Sequence, residues 1–338
     1  MLSARRESIL KGIIGEYIAK AIPVGSLTIA RIFGLGVSPA TIRNDMAYLE
    51  DEGYITHPYT SSGRVPSDKG YRYYLEWLMP KDDLSVPYKR TILHQFHQVE
   101  GDIDEWSFLA ASTLAQTTNN LAIVTIPKAT QPSLKHLGVL FIQTTRALLI
   151  AVLDGSRVRR QVLPLKELIT QERLNAATQQ LNEELRGLGA TQIFNMAASL
   201  PPLERQIAEA AARIIYTEES LQLGEPVIEG RRYLMSQPEF SGGSRIQELI
   251  DILEVENLLD TIPLDTLEDN SVTVIIGSEN PSSAMHSFSV VVTRYGSKSG
   301  VTGSISVIGP TRMDYSRTIA SVRYLADVMG IMVGNSRD

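Results

Sequence analysis

The chain has no cysteine among its 338 residues. That excludes disulfides, thiolate catalysis and Cys-ligated zinc or iron–sulfur centres. It has no apolar run approaching the roughly 18 residues that span a bilayer, so no membrane association is expected. Low-complexity tracts and internal repeats are missing too, so a folded chain is expected nearly throughout. Strong positive charge is lacking: 32 Lys and Arg face 38 Asp and Glu, a net charge of −6. No P-loop, dinucleotide fingerprint or Ser-His-Asp ordering occurs. There are five histidines, His57, His94, His97, His136 and His286. His94 and His97 stand at i, i+3 without a third ligand at helical spacing and read as a solvated helix face. No metal, cofactor or catalytic residue is expected, and the chain reads as a non-enzyme. Met1–Arg6 has no apolar core of a leader peptide, so a cytoplasmic location is the expectation.

What is present is a folded chain with 43% hydrophobic residues, enough for two or three domains of about 100–200 residues each. Ile9, Ile13, Ile14, Tyr17 and Ile18 recur at helical spacing over 5–20. Pro23 ends that helix, and Ser26 caps a short second one over Leu27–Phe33. Gly34-Leu35-Gly36-Val37 reads as a tight turn. Ser38-Pro39 then places a cap and a first-turn proline before a third helix, Pro39–Glu52, stopped by Gly53. Tyr54–Tyr59 reads as a strand, Thr60–Gly63 as a turn and Arg64-Val65 as a returning strand. A fourth helix spans about Lys69–Leu78. The order predicts a winged helix-turn-helix over residues 1–79.

The third helix has a readable face. Ile42, Met46 and Leu49 fall within about 60° of one another and form the core stripe. Ala40, Asn44, Ala47 and Asp51 lie opposite, flanked by Thr41, Arg43 and Tyr48. Small residues let a helix enter the major groove, where Arg pairs bidentately with guanine and Asn with adenine. Glu50-Asp51-Glu52 would repel phosphates, so the N-terminal half is the part expected to enter. The expected DNA-contacting residues are Ser38, Ala40, Thr41, Arg43, Asn44 and Tyr48 on the helix, with His57, Tyr59, Thr60, Ser61, Ser62 and Arg64 on the wing. Residues 1–79 carry nine Lys/Arg against eight Asp/Glu, so phosphate affinity from one copy is modest and two copies on one duplex would compensate.

Beyond a linker and connecting helix over 80–101, the pattern is α+β. Helices are read over Tyr88–Glu100 and Ile103–Asn119, and strands over Leu121–Ile126, Lys135–Gln143, Ala147–Leu153 and Arg157–Leu163, with Asp154-Gly155 as a hairpin turn. Helices follow over Thr170–Arg186, Pro202–Glu218 and Gly243–Leu259. Strands Ser271–Ile276, Ser287–Tyr295 and Gly303–Ile308 precede a last helix, Arg312–Met329, opened by Thr311-x-x-Asp314 in the manner of a capping box. The result is an antiparallel sheet interrupted by a helical stretch. Leu174, Leu181, Leu185 and Leu188, with Ile207, Ala211, Ile214 and Ile215, form stripes that serve either as core or as a subunit surface. Gly277-Ser278-Glu279-Asn280 reads as a turn that closes a sheet edge or as an anion cradle.

Four N-terminal segments and three C-terminal ones resemble a known family in order along the chain. They are Pro23-Val24-Gly25-Ser26, Ser38–Met46, Leu49-Glu50-x-x-Gly53-Tyr54-Ile55, and Pro58-x-Thr60-Ser61-Ser62-Gly63-Arg64-Val65-Pro66-Ser67-Asp68-Lys69-Gly70-Tyr71-Arg72, then Arg231–Phe240, Gly277–Asn280 and Ile308–Tyr315. The chain resembles the heat-inducible transcription repressor family, HrcA. That resemblance implies a homodimer on an inverted-repeat operator in double-stranded DNA upstream of chaperone operons, kept competent by the GroEL chaperonin. It also implies a GAF-like domain in two parts, 102–167 and 231–338, around an inserted, mostly helical dimerisation domain, 168–230. Tyr59 and Ser62 stand where the family pattern has His and Ala. A small-molecule-responsive winged-helix regulator, with the GAF-like domain as its sensor, is the alternative.

Overall fold

The computed structural model describes residues 2–33, 37–59, 62–80, 83–99, 102–129, 132–143, 145–154, 158–165, 169–220, 225–240, 271–297 and 301–335. The chain forms two compact units. One takes residues 1–125, 226–295 and 304–329; the other takes 126–225, 296–303 and 330–338.

The first unit opens with α1 (Ala4–Lys20), α2 (Ser26–Phe33) and α3 (Pro39–Asp51). The periodic Ile9, Ile13 and Ile14 are fully buried, as are Ile29 of α2 and Ile42 and Leu49 of α3. The turn expected at 34–36 lies outside the described residues. After α3, Gly53 takes φ +76°, a left-handed conformation open to glycine without a Cβ clash. β1 (Ile55–Thr56) and β2 (Val65–Pro66) pair antiparallel. The strand is shorter than the expected Tyr54–Tyr59. Pro58 has no N–H to donate to a ladder, and pairing stops before it. Arg64 adds a bridge to Val24 through backbone bonds of 2.8 and 2.9 Å. α4 (Asp68–Tyr73) is capped by the Ser67 hydroxyl, which accepts the Gly70 N–H at 3.1 Å. It continues as a wider π turn over Tyr74–Leu78. Then come α5 (Val86–Gln98), α6 (Ile103–Thr118) and β3 (Leu121–Thr125).

The second unit starts with the short β4 (Lys128–Ala129). It holds a three-stranded antiparallel sheet of β5 (Leu134–Gln143), β6 (Arg146–Leu153) and β7 (Val158–Pro164), with β6 central. Helices α7 (Gln171–Leu185), α8 (Ala190–Ala197) and α9 (Pro202–Ser220) follow. Successive residues of β6 alternate between faces: Ala147, Leu149, Ala151 and Leu153 are buried, while Leu148, Ile150 and Val152 are half-buried. The inner face packs in one cluster with Leu174, Leu181 and Leu185 of α7, Ile193 of α8, and Ile207, Ala211 and Ile215 of α9. The helical stripes read as either core or subunit surface are therefore core. The sheet's other face is also apolar. Its register sets Leu140, Leu148 and Val162 side by side, then Gly138, Ile150 and Arg160, then His136, Val152 and Val158. Leu140, Val158 and Val162 are 51%, 57% and 51% exposed.

The chain returns to the first unit through β8 (Pro226–Glu229) and α10 (Arg231–Met235). β9 (Thr273–Ile276), β10 (Phe288–Ser297), β11 (Val301–Pro310) and α11 (Tyr315–Asn335) complete it. The larger sheet has the order β8-β3-β11-β10-β9. One face buries Leu121, Ile123, Val290, Val292 and Ile308 against Leu234, Phe240 and Met285. Phe240 and Phe288 stack at 4.8 Å between ring centroids. The helix expected at Gly243–Leu259 lies outside the described residues. So does Gly155 of the expected hairpin turn. The architecture is α+β with antiparallel sheets.

Candidate nucleic-acid interface

α3 begins as its sequence dictates. Ser38 is extended at φ −67° and ψ 152°, and its hydroxyl accepts the Thr41 N–H at 3.2 Å, with Pro39 in the first turn. Ile42, Met46 and Leu49 are buried, which turns Ala40, Arg43, Asn44, Ala47 and Tyr48 outward. Among the described residues neither Arg43 nor Asn44 has a hydrogen bond or ion pair. Their donors and acceptors are open to solvent.

The fourth buried residue on α3 is Asp45, which sequence reasoning did not single out. Its carboxylate takes Arg5 Nε at 2.6 Å and Arg6 Nε at 3.1 Å, tying α3 to α1. The Arg5 hydrogen bond holds the Asp45 carboxyl below its ordinary range, and Arg6 adds to this against the opposing effect of burial. Arg6 also lies 3.5 Å from the Tyr48 ring centroid, a cation–π contact that fixes Tyr48 at the edge of the exposed face. The signal was present in the sequence: Asp45 sits within one residue of the core stripe, and a carboxylate there requires a cation.

At the other end of α3, Glu50 takes two wing donors. His57 Nδ1 meets Oε1, and Arg64 meets Oε2 at 2.6 Å. His57 and Arg64 were expected to face DNA; in the structure both turn back onto α3. Lys69 caps the helix from beyond the wing, donating to the Glu52 carbonyl at 2.7 Å. Ser62 closes the wing turn. Its hydroxyl accepts the Tyr59 N–H at 3.1 Å and donates to the Tyr59 carbonyl at 2.7 Å, so it is engaged locally. Tyr59 itself is 77% exposed. Thr60 and Ser61 lie outside the described residues. Of the nine cations in residues 1–79, only Lys11, Arg31 and Arg43 have no ion pair or hydrogen bond among the described residues.

The helices are anchored to the larger sheet within the same unit. Arg72 pairs with both Glu279 oxygens and donates to the Val274 carbonyl at 2.7 Å. The Ser278 N–H and hydroxyl donate to Asp68 at 2.8 and 2.7 Å. The Gly277–Asn280 turn thus does cradle an anion, and the anion is the chain's own Asp68. Asn280 braces the turn by donating to the carbonyls of Gly277, Met285 and Phe288 at 2.8, 3.2 and 3.1 Å. Arg312 pairs with Glu239 and reaches the Ile18 carbonyl of α1 at 3.2 Å. Tyr71 and Tyr315 pack with centroids 5.7 Å apart, and burial pushes both phenols above their ordinary range. The start of α11 differs from the expected capping box. Asp314, one residue before the helix, accepts the Arg317 N–H at 3.1 Å, and the Thr311 carbonyl accepts from the Tyr315 hydroxyl at 2.7 Å. His94 and His97 are exposed on α5.

Residues 108–319 match the family described as HrcA protein C terminal domain. A curated relative from Dehalococcoides mccartyi, named heat-inducible transcription repressor HrcA, is 37% identical over 334 residues, covering 98% of this chain and 96% of the relative. The chain belongs to the HrcA family. A second HrcA relative of the same name, from Herpetosiphon aurantiacus, is 39% identical over 342 residues and covers 99% of this chain and 96% of its own. The HrcA chain also shares its fold with a crystal structure described only as a hypothetical protein, with a TM-score of 0.63 at 22% identity over 99% of this chain and 98% of that one. Of the motifs that carry the HrcA resemblance, Ser38–Met46 spans the cap and first turns of α3, while Ser67–Arg72, Gly277–Asn280 and Ile308–Tyr315 meet in the anchor through Arg72–Glu279, Ser278–Asp68 and Tyr71–Tyr315.

Proposed function

We propose that this chain is a dimeric transcription repressor that binds an inverted-repeat operator of chaperone operons and blocks the promoter by occupying it, without chemistry. In this reading α1 to β2 form a winged helix-turn-helix. The N-terminal half of α3 enters the major groove, with Arg43 and Asn44 reading base edges. The observation that carries it is the exposed, unengaged Arg43–Asn44 pair on a helix whose cap, core stripe and outward face are all in place. Ser38, Ala40, Thr41 and Tyr48 line that face. Tyr59, Thr60 and Ser61 at the wing tip supply backbone contacts, and Arg64 reaches phosphate while still held by Glu50.

Two copies pair through the outer face of β5–β6–β7, the apolar grid centred on Ile150. The three rows carry seven apolar or glycine positions, with His136 and Arg160 at opposite edge strands, a composition suited to a self-complementary interface. The larger sheet serves as a GAF-like platform, and GroEL keeps the repressor competent, as the family resemblance implies. Side chains of Leu234, Phe240 and Met285 fill the described part of that sheet's face, so nothing there favours a ligand sensor.

The test is a set of duplexes, each with one base pair of the inverted repeat substituted, titrated at fixed salt with the native chain and with Asn44→Ala. The native chain loses about 1–3 kcal/mol at each base pair it reads. Asn44→Ala loses that discrimination at one symmetry-related pair of positions and keeps it elsewhere. An unchanged profile rules out α3 as the reader.

A further inference from the structure

The wing is joined to its own strands by little. Its ladder has two residue pairs, Ile55 with Pro66 and Thr56 with Val65, and Pro66 has no N–H to give. So short a ribbon does not set its own orientation. The Arg64–Val24 bridge fixes the base of the second strand. Among the described residues, the side-chain ties from both wing strands to α3 converge on one carboxylate. Glu50 binds His57 from the first strand on one oxygen and Arg64 from the second on the other. The Arg64 and Glu50 side chains are 27% and 21% exposed, while His57 is 42% exposed. A guanidinium has five N–H donors in a planar fork; one terminal nitrogen of Arg64 is held by Glu50 and its Nε is buried without a partner, which leaves the other terminal nitrogen for a phosphate.

We infer that Glu50 is a positioning and specificity-determining residue, which sets the wing on α3 and cancels the Arg64 charge that would otherwise grip any phosphate. This rests on the reading of α3 and the wing as a DNA-binding module. An acidic residue beside a phosphate-contacting wing weakens binding to every sequence alike. Here it restrains non-specific affinity and keeps Arg64 in one place, so that phosphate contact forms only in the register the bases select. Asp51, one residue on, is exposed and has no wing partner among the described residues.

The experiment titrates the full chain and its Glu50→Gln, Arg64→Ala and double variants against an inverted-repeat duplex and a scrambled one, from 50 to 200 mM salt. Glu50→Gln is expected to bind the scrambled duplex more tightly. Its affinity should fall by an additional factor of about three to four across that salt range, the mark of one more neutralised phosphate. Its preference for the inverted repeat should drop several-fold. Both effects should vanish in the Arg64→Ala background, which a general loosening of the fold would not produce. Glu50→Gln that matches the native chain on the scrambled duplex overturns the inference, as does an effect that survives Arg64→Ala. Because the scrambled arm needs no operator preference, a native chain that binds both duplexes equally defeats the operator reading while that arm still decides the role of Glu50. A chain that binds neither duplex defeats both.

Discussion

Asp45 illustrates what a single residue contributes that periodicity does not display. The stripe Ile42, Met46 and Leu49 was legible from spacing, and so were the Ser38 cap and the outward Arg43 and Asn44. The partners of Asp45 were not, because Arg5 and Arg6 lie 40 and 39 residues away and spacing along one helix carries no information about another. The same holds for Glu50, whose acidic character was read correctly and whose engagement by His57 and Arg64 was not. Asp45→Asn keeps the side-chain volume and removes the charge that Arg5 and Arg6 neutralise. It is expected to cost about 1–3 kcal/mol at pH 7, read as a shift in the urea midpoint. The Asp45 carboxyl titrates below its unfolded value of about 3.9, so its stabilisation is complete above that pH and is lost as the pH falls through the lowered folded value. The gap between native and variant should therefore be full at pH 7 and close below pH 4. A gap that persists in acid would mean that the Asp45 charge is not what stabilises the contact.

At the scale of elements, long periodic helices, alternating strands and the short α2 and β1–β2 hairpin with their turn signals were legible, while α8 and β8 were not. α8 has eight residues and opens after Gly189 without a Ser, Thr, Asp or Asn cap. β8 has four half-buried residues with no alternation. Neither carries a local signal. The Gly277 turn was legible as a turn but its purpose was not, since Asp68 stands 210 residues earlier. Gly277 has φ +48°, and an added Cβ there would run into the Asp68 carboxylate. Gly277→Ala is expected to destabilise the chain by more than about 1 kcal/mol, from left-handed strain alone. Asp68→Ala should be non-additive with it, because the clash disappears with the carboxylate. Denaturant titration of the two single variants and the double measures this. Strict additivity would show that the turn does not press on α4.

The whole molecule poses a charge problem that its parts resolve. A chain at −6 contains a module with nearly balanced charge, and that module uses most of its cations internally. Arg5 and Arg6 hold α3, Arg64 holds the wing and Arg72 holds the anchor. Arg43, on the outward face of α3, has no ion pair among the described residues. One such module has weak purchase on phosphate, and in the proposed reading two act on one duplex, where linkage raises avidity by roughly 10²–10⁴ without new contacts. Composition hinted at this need. The surface proposed to meet it was not legible, because the helical stripes that suggested a subunit contact are buried, and the apolar face lies on strands whose outward residues alternate with an equally apolar inward set. The most direct test is one titration at fixed salt. The native chain and Ile150→Glu are each measured against the inverted repeat, a single half-site and a scrambled duplex, with sedimentation confirming the oligomeric state. The account predicts that the native dimer binds the inverted repeat roughly 10²-fold or more tighter than the half-site and the scrambled duplex least. It predicts that Ile150→Glu is a folded monomer whose affinity for the inverted repeat falls to the half-site level. Equal affinity of the native chain for all three duplexes would contradict it.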